Sequence, residues 1–116
     1  VNTRDPAQWL TALARIHTFG VQYILMTAGE RGAILSHNGH VWHAIPPHVR
    51  VSSTVGAGDA SLAGALYAWR QRLSLEDIAR WACASGTAAV SLEGSMMPSL
   101  QQVRDIYLAT NVVQLV

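Results

Sequence analysis

Apolar positions along the chain change their spacing several times, and each change marks an element. Over residues 3–20, Trp9, Leu10, Leu13, Ala14 and Ile16 recur at helical intervals. Asp5-Pro6 suits a helix start, and Gly20 suits its end. Residues 21–27, VQYILMT, form a short run of strand formers and predict a buried strand. A helix, a glycine and a buried strand make half of a parallel α/β unit. Residues 33–37 and 40–44 predict two short strands. Asn38-Gly39 between them is a strong signal for a two-residue hairpin turn. Ile45-Pro46-Pro47 breaks the second strand, and residues 49–52 read as extended.

The second half is helical. Residues 58–72 carry Leu62, Ala63, Leu66, Trp69 and Leu73, with charge only at the ends: Asp59 at the start, Arg70 and Arg72 at the finish. That arrangement suits the helix dipole, and the uncharged middle predicts burial. Ser74 opens the next helix with an acid three residues on. Its apolar stripe runs through Leu75, Ile78, Ala79, Ala82, Ala89 and Val90. Ser99 with Gln102, directly after Pro98, matches a capping box. Leu100, Val103, Ile106 and Tyr107 then share a face, and residues 112–116 suit a last strand. Together these elements predict an α/β fold.

Composition narrows the function. Of 116 residues, 50% are hydrophobic and 13% charged, with a net charge of +1. Such a chain can build a core, and its balance argues against a nucleic-acid or polybasic membrane surface. No apolar run approaches the roughly 18–20 residues of a membrane span. The first residues do not resemble a signal peptide. Cys83 is the single cysteine, so no intrachain disulfide is possible; it reads as a small core residue in a cytoplasmic protein. The start at Val1 rather than Met leads to the expectation that the chain is part of something longer.

The chemistry concentrates in Ser53-Thr54-Val55-Gly56-Ala57-Gly58-Asp59-Ala60. A helix start leaves backbone N–H groups without partners and carries partial positive charge. Glycines let an anion approach those groups, so Gly56 and Gly58 suit a phosphate cradle. Asp59 in the first turn suits a general base for an attacking hydroxyl. It also suits a plain dipole-stabilising residue after a tight turn, and the local pattern leaves both readings open. A Walker-A loop is excluded, since the chain has no lysine. A dinucleotide fingerprint is excluded too, because Ser61 stands where its third glycine belongs. A second glycine pair, Gly29 and Gly32, follows the strand at 21–27, at the end where open α/β sheets bind ligands. The two loops could close around one nucleotide.

Other residues read as packing. His37, His40, His43 and His48 crowd the hairpin. His40 and His43 sit an odd number apart on a strand and face opposite sides, so solvent-facing histidines are expected rather than a metal site. Trp9, Trp69 and Trp81 read as core or edge packing, and Met96-Met97 as packing near the proposed nucleotide site.

STVGAGDA, with VQYILMTAGERGAIL before it and GTAAVSLEGSMMPSLQQV after it, resembles the ribokinase/phosphofructokinase-B carbohydrate kinases in order and spacing, over nearly the whole chain from about Thr3. Ser-Thr-Val before GAGD is closest to the 1-phosphofructokinase and tagatose-6-phosphate kinase branch. The resemblance implies the C-terminal portion of a ribokinase-like, Rossmann-like three-layer α/β/α fold with a central sheet. Residues 1–116 would be its nucleotide-binding part, without the N-terminal sugar-binding part, the lid and an acidic motif used with magnesium. It implies ATP and Mg²⁺, a phosphosugar acceptor and Asp59 as catalytic base. The N–H groups of Gly56, Ala57 and Gly58 would stabilise the transferring phosphoryl, and Thr54 would hold nucleotide phosphates. Thr27, Ala28, Gly29, Glu30, Arg31 and Gly32 would form the nucleotide loop, although the family's usual Ser-Leu-Gly is Thr27-Ala28-Gly29 here. Cys83, Gly86 and Thr87 would line the adenine pocket. A related kinase of an unphosphorylated sugar or nucleoside is the alternative, as is a non-catalytic nucleotide-binding fragment. Alone, the chain is expected to be inactive and to need a homodimer partner or its missing N-terminal half.

Overall fold

The computed structural model describes residues 5–92 and 97–116. Its elements are α1 (Pro6–His17), β1 (Tyr23–Thr27), a short 3₁₀ turn (Gly29–Arg31), β2 (Ala33–His37), β3 (His40–Ile45), α2 (Ala57–Arg70), α3 (Leu75–Val90), α4 (Leu100–Ala109) and β4 (Asn111–Gln114). The helix starts follow the sequence signals. Asp5 accepts from the Ala7 N–H with Pro6 behind it, and Ser74 accepts from the Asp77 N–H. Ser99 and Gln102 complete the capping box in both directions. Asn38 and Gly39, both at positive φ, turn β2 into β3.

The sheet has the order β1-β2-β3-β4, and every described pairing is antiparallel. The strand that follows α1 pairs antiparallel with the hairpin after it, and the expected parallel unit around β1 is not seen among the described residues. Nor is β1 the buried strand expected of its apolar run, for Tyr23 and Thr27 are exposed and the residues between them half-buried. Among the described residues its outer edge has no partner strand, and such an edge is a ready template for another strand.

Strand alternation sends side chains to two helical layers. On one face Ile34 and Val41 pack with Trp9 and Leu13 of α1. On the other, Ala33, Leu35 and Ala44 pack with Ala65 and Ala68 of α2 and with Ile78, Ala79, Ala82 and Cys83 of α3. The α/β/α layering is therefore present, and α4 adds Val103 against Ala84 and Ala88 of α3.

Packing of α2 differs from the sequence expectation. Leu62, Leu66 and Trp69 are each more than half exposed. The buried face is Ala60, Ser61, Gly64, Ala65 and Ala68. Small residues let α2 and α3 approach closely. A Cβ at Gly64 would collide with Ser85, and one at Gly86 with the Ser61 hydroxyl. No described helix is long and apolar enough to cross a membrane.

Candidate nucleotide site

Two loops meet above the sheet. The first leaves β1 at Thr27 and is closed on itself by three backbone hydrogen bonds: Ala28 N–H to Gly32 O at 2.8 Å, Arg31 N–H to Ala28 O at 3.0 Å and Gly32 N–H to Gly29 O at 3.0 Å. Gly29 and Gly32 have φ of 55° and 95°. A Cβ at Gly32 would land on the Ala44 carbonyl oxygen, so glycine there lets the loop lie flat on β3.

The second loop leads into α2. The N–H groups of Ser52 and Ser53 both donate to Val90 O, at 2.7 and 3.2 Å, which ties the approach to the end of α3. Ser53 Oγ accepts from the Val55 N–H. Gly56, at φ 79°, turns the chain into the helix as an N-cap that offers no side-chain acceptor. Ala57 N–H donates to Thr54 O, and Ala60 N–H to Gly56 O. The N–H groups of Gly58 and Asp59, between them, form no backbone hydrogen bond among the described residues. They point out of a helix end that favours anions.

Between the loops lies a cavity of about 640 Å³, within the roughly 300–1,000 Å³ common for small-molecule sites. Thr27, Gly29, Glu30, Arg31 and Gly32 line it from the first loop, and Thr54, Ala57 and Gly58 from the second. Cys83, Gly86 and Thr87 of α3 form its floor. Three expected residues lie elsewhere. Ala28 turns away into the α1 layer. Gly56 and Asp59 line a second, smaller cavity of about 170 Å³ with Val55, Ala60, Ala89, Met97 and Pro98. The α2 N-terminus thus separates two cavities, with Gly58 on the large one and Asp59 on the small one. Met97 is largely exposed at that second cavity; Met96 lies outside the described residues.

Cys83 is both core and cavity floor. Burial pushes its thiol up to about 11, against the lowering effect of the Thr87 hydroxyl, which makes it an inert neutral group rather than a nucleophile.

The sequence reading missed one wall and one side chain. Pro46, Pro47, His48, Val49 and Val51 form a further wall, with Pro46 close against Gly32 of the first loop; the proline pair read only as a strand breaker. His43 is buried, not solvent-facing as expected. It meets the Trp9 ring edge-on at 5.1 Å, and its Nε2 lies 2.6 Å from Arg31 O. Among the described residues, no group of three His, Cys, Asp or Glu is placed to hold a metal ion.

The same chain pattern recurs in known proteins. The chain is 34% identical over 97 residues to a 1-phosphofructokinase of Haloferax volcanii, a match covering 84% of this chain and 32% of that protein. It is 32% identical over 95 residues to a 1-phosphofructokinase of Vibrio cholerae, covering 82% and 30%. Phosphofructokinase-2 from Escherichia coli, solved in complex with potassium, superposes with a TM-score of 0.84 at 27% identity, over 90% of this chain and 34% of that one. The chain therefore spans about a third of the length of these relatives. Residues 1–102 match the pfkB family carbohydrate kinase model, and the chain belongs to that family.

Proposed function

We propose that residues 1–116 are the nucleotide-binding part of a cytoplasmic kinase that moves the γ-phosphoryl of ATP to a hydroxyl of a phosphorylated sugar. The observation that carries this reading is the α2 N-terminus standing between two cavities. ATP would occupy the large one, with its phosphates toward the Gly58 and Asp59 N–H groups and Thr54. The acceptor hydroxyl would lie on the Asp59 side. Asp59 takes the hydroxyl proton as that oxygen bonds to the γ-phosphorus, and the bond from phosphorus to the β–γ bridging oxygen breaks to release ADP. Gly56 gives the turn that aims the helix end, and the unpaired N–H groups stabilise charge on the transferring phosphoryl.

Magnesium fits this arrangement as a companion of the triphosphate. Mg²⁺ commonly binds through substrate phosphates and one or two carboxylates rather than a protein cage, and the described residues offer carboxylates singly: Glu30 on one cavity and Asp59 on the other. When bound, it would neutralise phosphate charge. The relatives named 1-phosphofructokinase favour a phosphosugar such as fructose 1-phosphate, fructose 6-phosphate or tagatose 6-phosphate over a free sugar or nucleoside. The open β1 edge and the exposed Leu62, Leu66 and Trp69 support a second element of the reading, that this chain works joined to further structure, either an N-terminal half or a second copy. Isolated, it is expected to transfer no phosphoryl, because positioning is most of this catalysis.

The test is ADP release by the intact protein containing this chain, with MgATP and a panel of these three phosphosugars, ribose and adenosine. The reading expects kcat/KM for one phosphosugar to exceed that for ribose and adenosine by about 100-fold or more. Turnover with ribose or adenosine alone would overturn it.

A further inference from the structure

We infer that His43 is a positioning residue for ATP: it holds the Gly29–Arg31 turn in register with the α2 N-terminus. The inference rests on the nucleotide reading above and names a residue outside the glycine motifs.

The turn's three backbone hydrogen bonds all run within residues 28–32. They fix the shape of the turn; its Gly32 end is seated against Ala44 of β3, and the Gly29–Arg31 end is held by other contacts. Arg31 supplies ties to the rest of the fold. Its guanidinium lies over the Trp9 ring, 5.5 Å from the centroid. Its carbonyl oxygen receives the His43 Nε2 at 2.6 Å. The same Trp9 ring meets the His43 ring at 84°. One residue of the turn is thus gripped at both its ends, by a helix residue and a strand residue that brace each other.

Both braces are stiff. Trp9 is fully buried and His43 is 8% exposed. His43 pairs across the sheet with Ile34 and Val113, in the middle of β3. Its ring also lines the large cavity beside Arg31 and Gly32. A carbonyl oxygen can only accept, so Nε2 must carry the hydrogen. An apolar residue of the same size would fill the space against Trp9 and leave the Arg31 carbonyl without its donor.

Two variants of the intact protein separate positioning from packing. His43→Phe keeps a ring against Trp9 and loses the donor; His43→Gln keeps a donor. KM for MgATP should rise about tenfold in His43→Phe while KM for fructose 1-phosphate stays within about twofold. His43→Gln should return KM for MgATP to within about threefold of wild type. An unchanged KM for MgATP in His43→Phe overturns the inference. So does an equal rise in both KM values, or a rise in His43→Gln as large as in His43→Phe, since either marks a purely structural role. Should His43→Phe fail to fold, the imidazole ¹H–¹⁵N spectrum of the wild type decides: hydrogen on Nε2 supports the hydrogen bond, and hydrogen on Nδ1 alone rules it out. A wild-type protein that turns over without any dependence on MgATP would instead overturn the nucleotide reading itself, which the variants do not touch.

Discussion

Gly86 of α3 lies so close to the Ser61 hydroxyl of α2 that a Cβ on Gly86 would collide with it. Gly64 makes the converse contact with Ser85, and its missing Cβ would also come within 2.6 Å of the Trp81 carbonyl oxygen. The two glycine–serine contacts set the distance between the helix that starts at Gly56 and the helix that floors the cavity.

The two contacts should differ when filled. Gly86→Ala meets a short side chain that can rotate, and the next atom, Ala57 O, is 3.3 Å away. The better helix propensity of alanine, worth about 1 kcal/mol, should offset much of the crowding. Gly64→Ala meets backbone that cannot rotate aside and should cost about 1–3 kcal/mol. Urea unfolding of both variants checks this; equal losses would contradict the difference, and two negligible losses would mean that the helices part freely.

The glycines of the first loop should divide in the same way. Gly29 has open space around its missing Cβ, so Gly29→Ala should lose only the roughly 1–2 kcal/mol of a left-handed backbone. Gly32→Ala places a methyl group on the Ala44 carbonyl and must displace the loop. A thermal melt and an MgATP titration should show a larger loss of stability in Gly32→Ala, together with weakened nucleotide binding. Gly29→Ala should melt only a few degrees below wild type, well above Gly32→Ala.

The contrast between those glycines was only half legible in the sequence. Gly29, Gly32, Gly56 and Gly58 could be read as a pair of loops because glycine at a strand end or helix start has few other uses. The helix caps at Asp5, Ser74 and Ser99 were legible for the same reason: capping is local chemistry. Long-range contacts were not. On α2 the large apolar residues Leu62, Leu66 and Trp69 suggested the buried face, yet close approach of two helices selects Ala, Ser and Gly. His43 looked like its neighbours His40 and His48, because nothing local tells that Trp9, 34 residues earlier, lies beside it. The cavity wall at 46–51 carries no motif, and the antiparallel partner of β1 was hidden behind an apolar run that suits a buried strand equally well.

Burial of Cys83 has a consequence for stability at high pH. Its thiol is raised from 9.0 to about 11, so the folded protein holds a proton that the unfolded chain loses first. The resulting stability is fully present below pH 9 and is lost as pH rises through about 11. A shift of two units amounts to about 3 kcal/mol. Wild type should therefore lose stability between pH 9 and 11 more steeply than Cys83→Ala, by about one proton in the slope. Denaturant midpoints at four pH values would show it, and parallel curves would contradict it.

In the proposed function Asp59 works on the acceptor while the large cavity holds ATP. The most direct test is Asp59→Asn in the intact protein, with turnover and MgATP affinity measured side by side. The account expects kcat to fall about 100- to 10,000-fold, as loss of a general base does, with MgATP binding within about twofold of wild type. Turnover at the wild-type rate would remove Asp59 from the chemistry and leave α2 a helix end with a stabilising acid in its first turn.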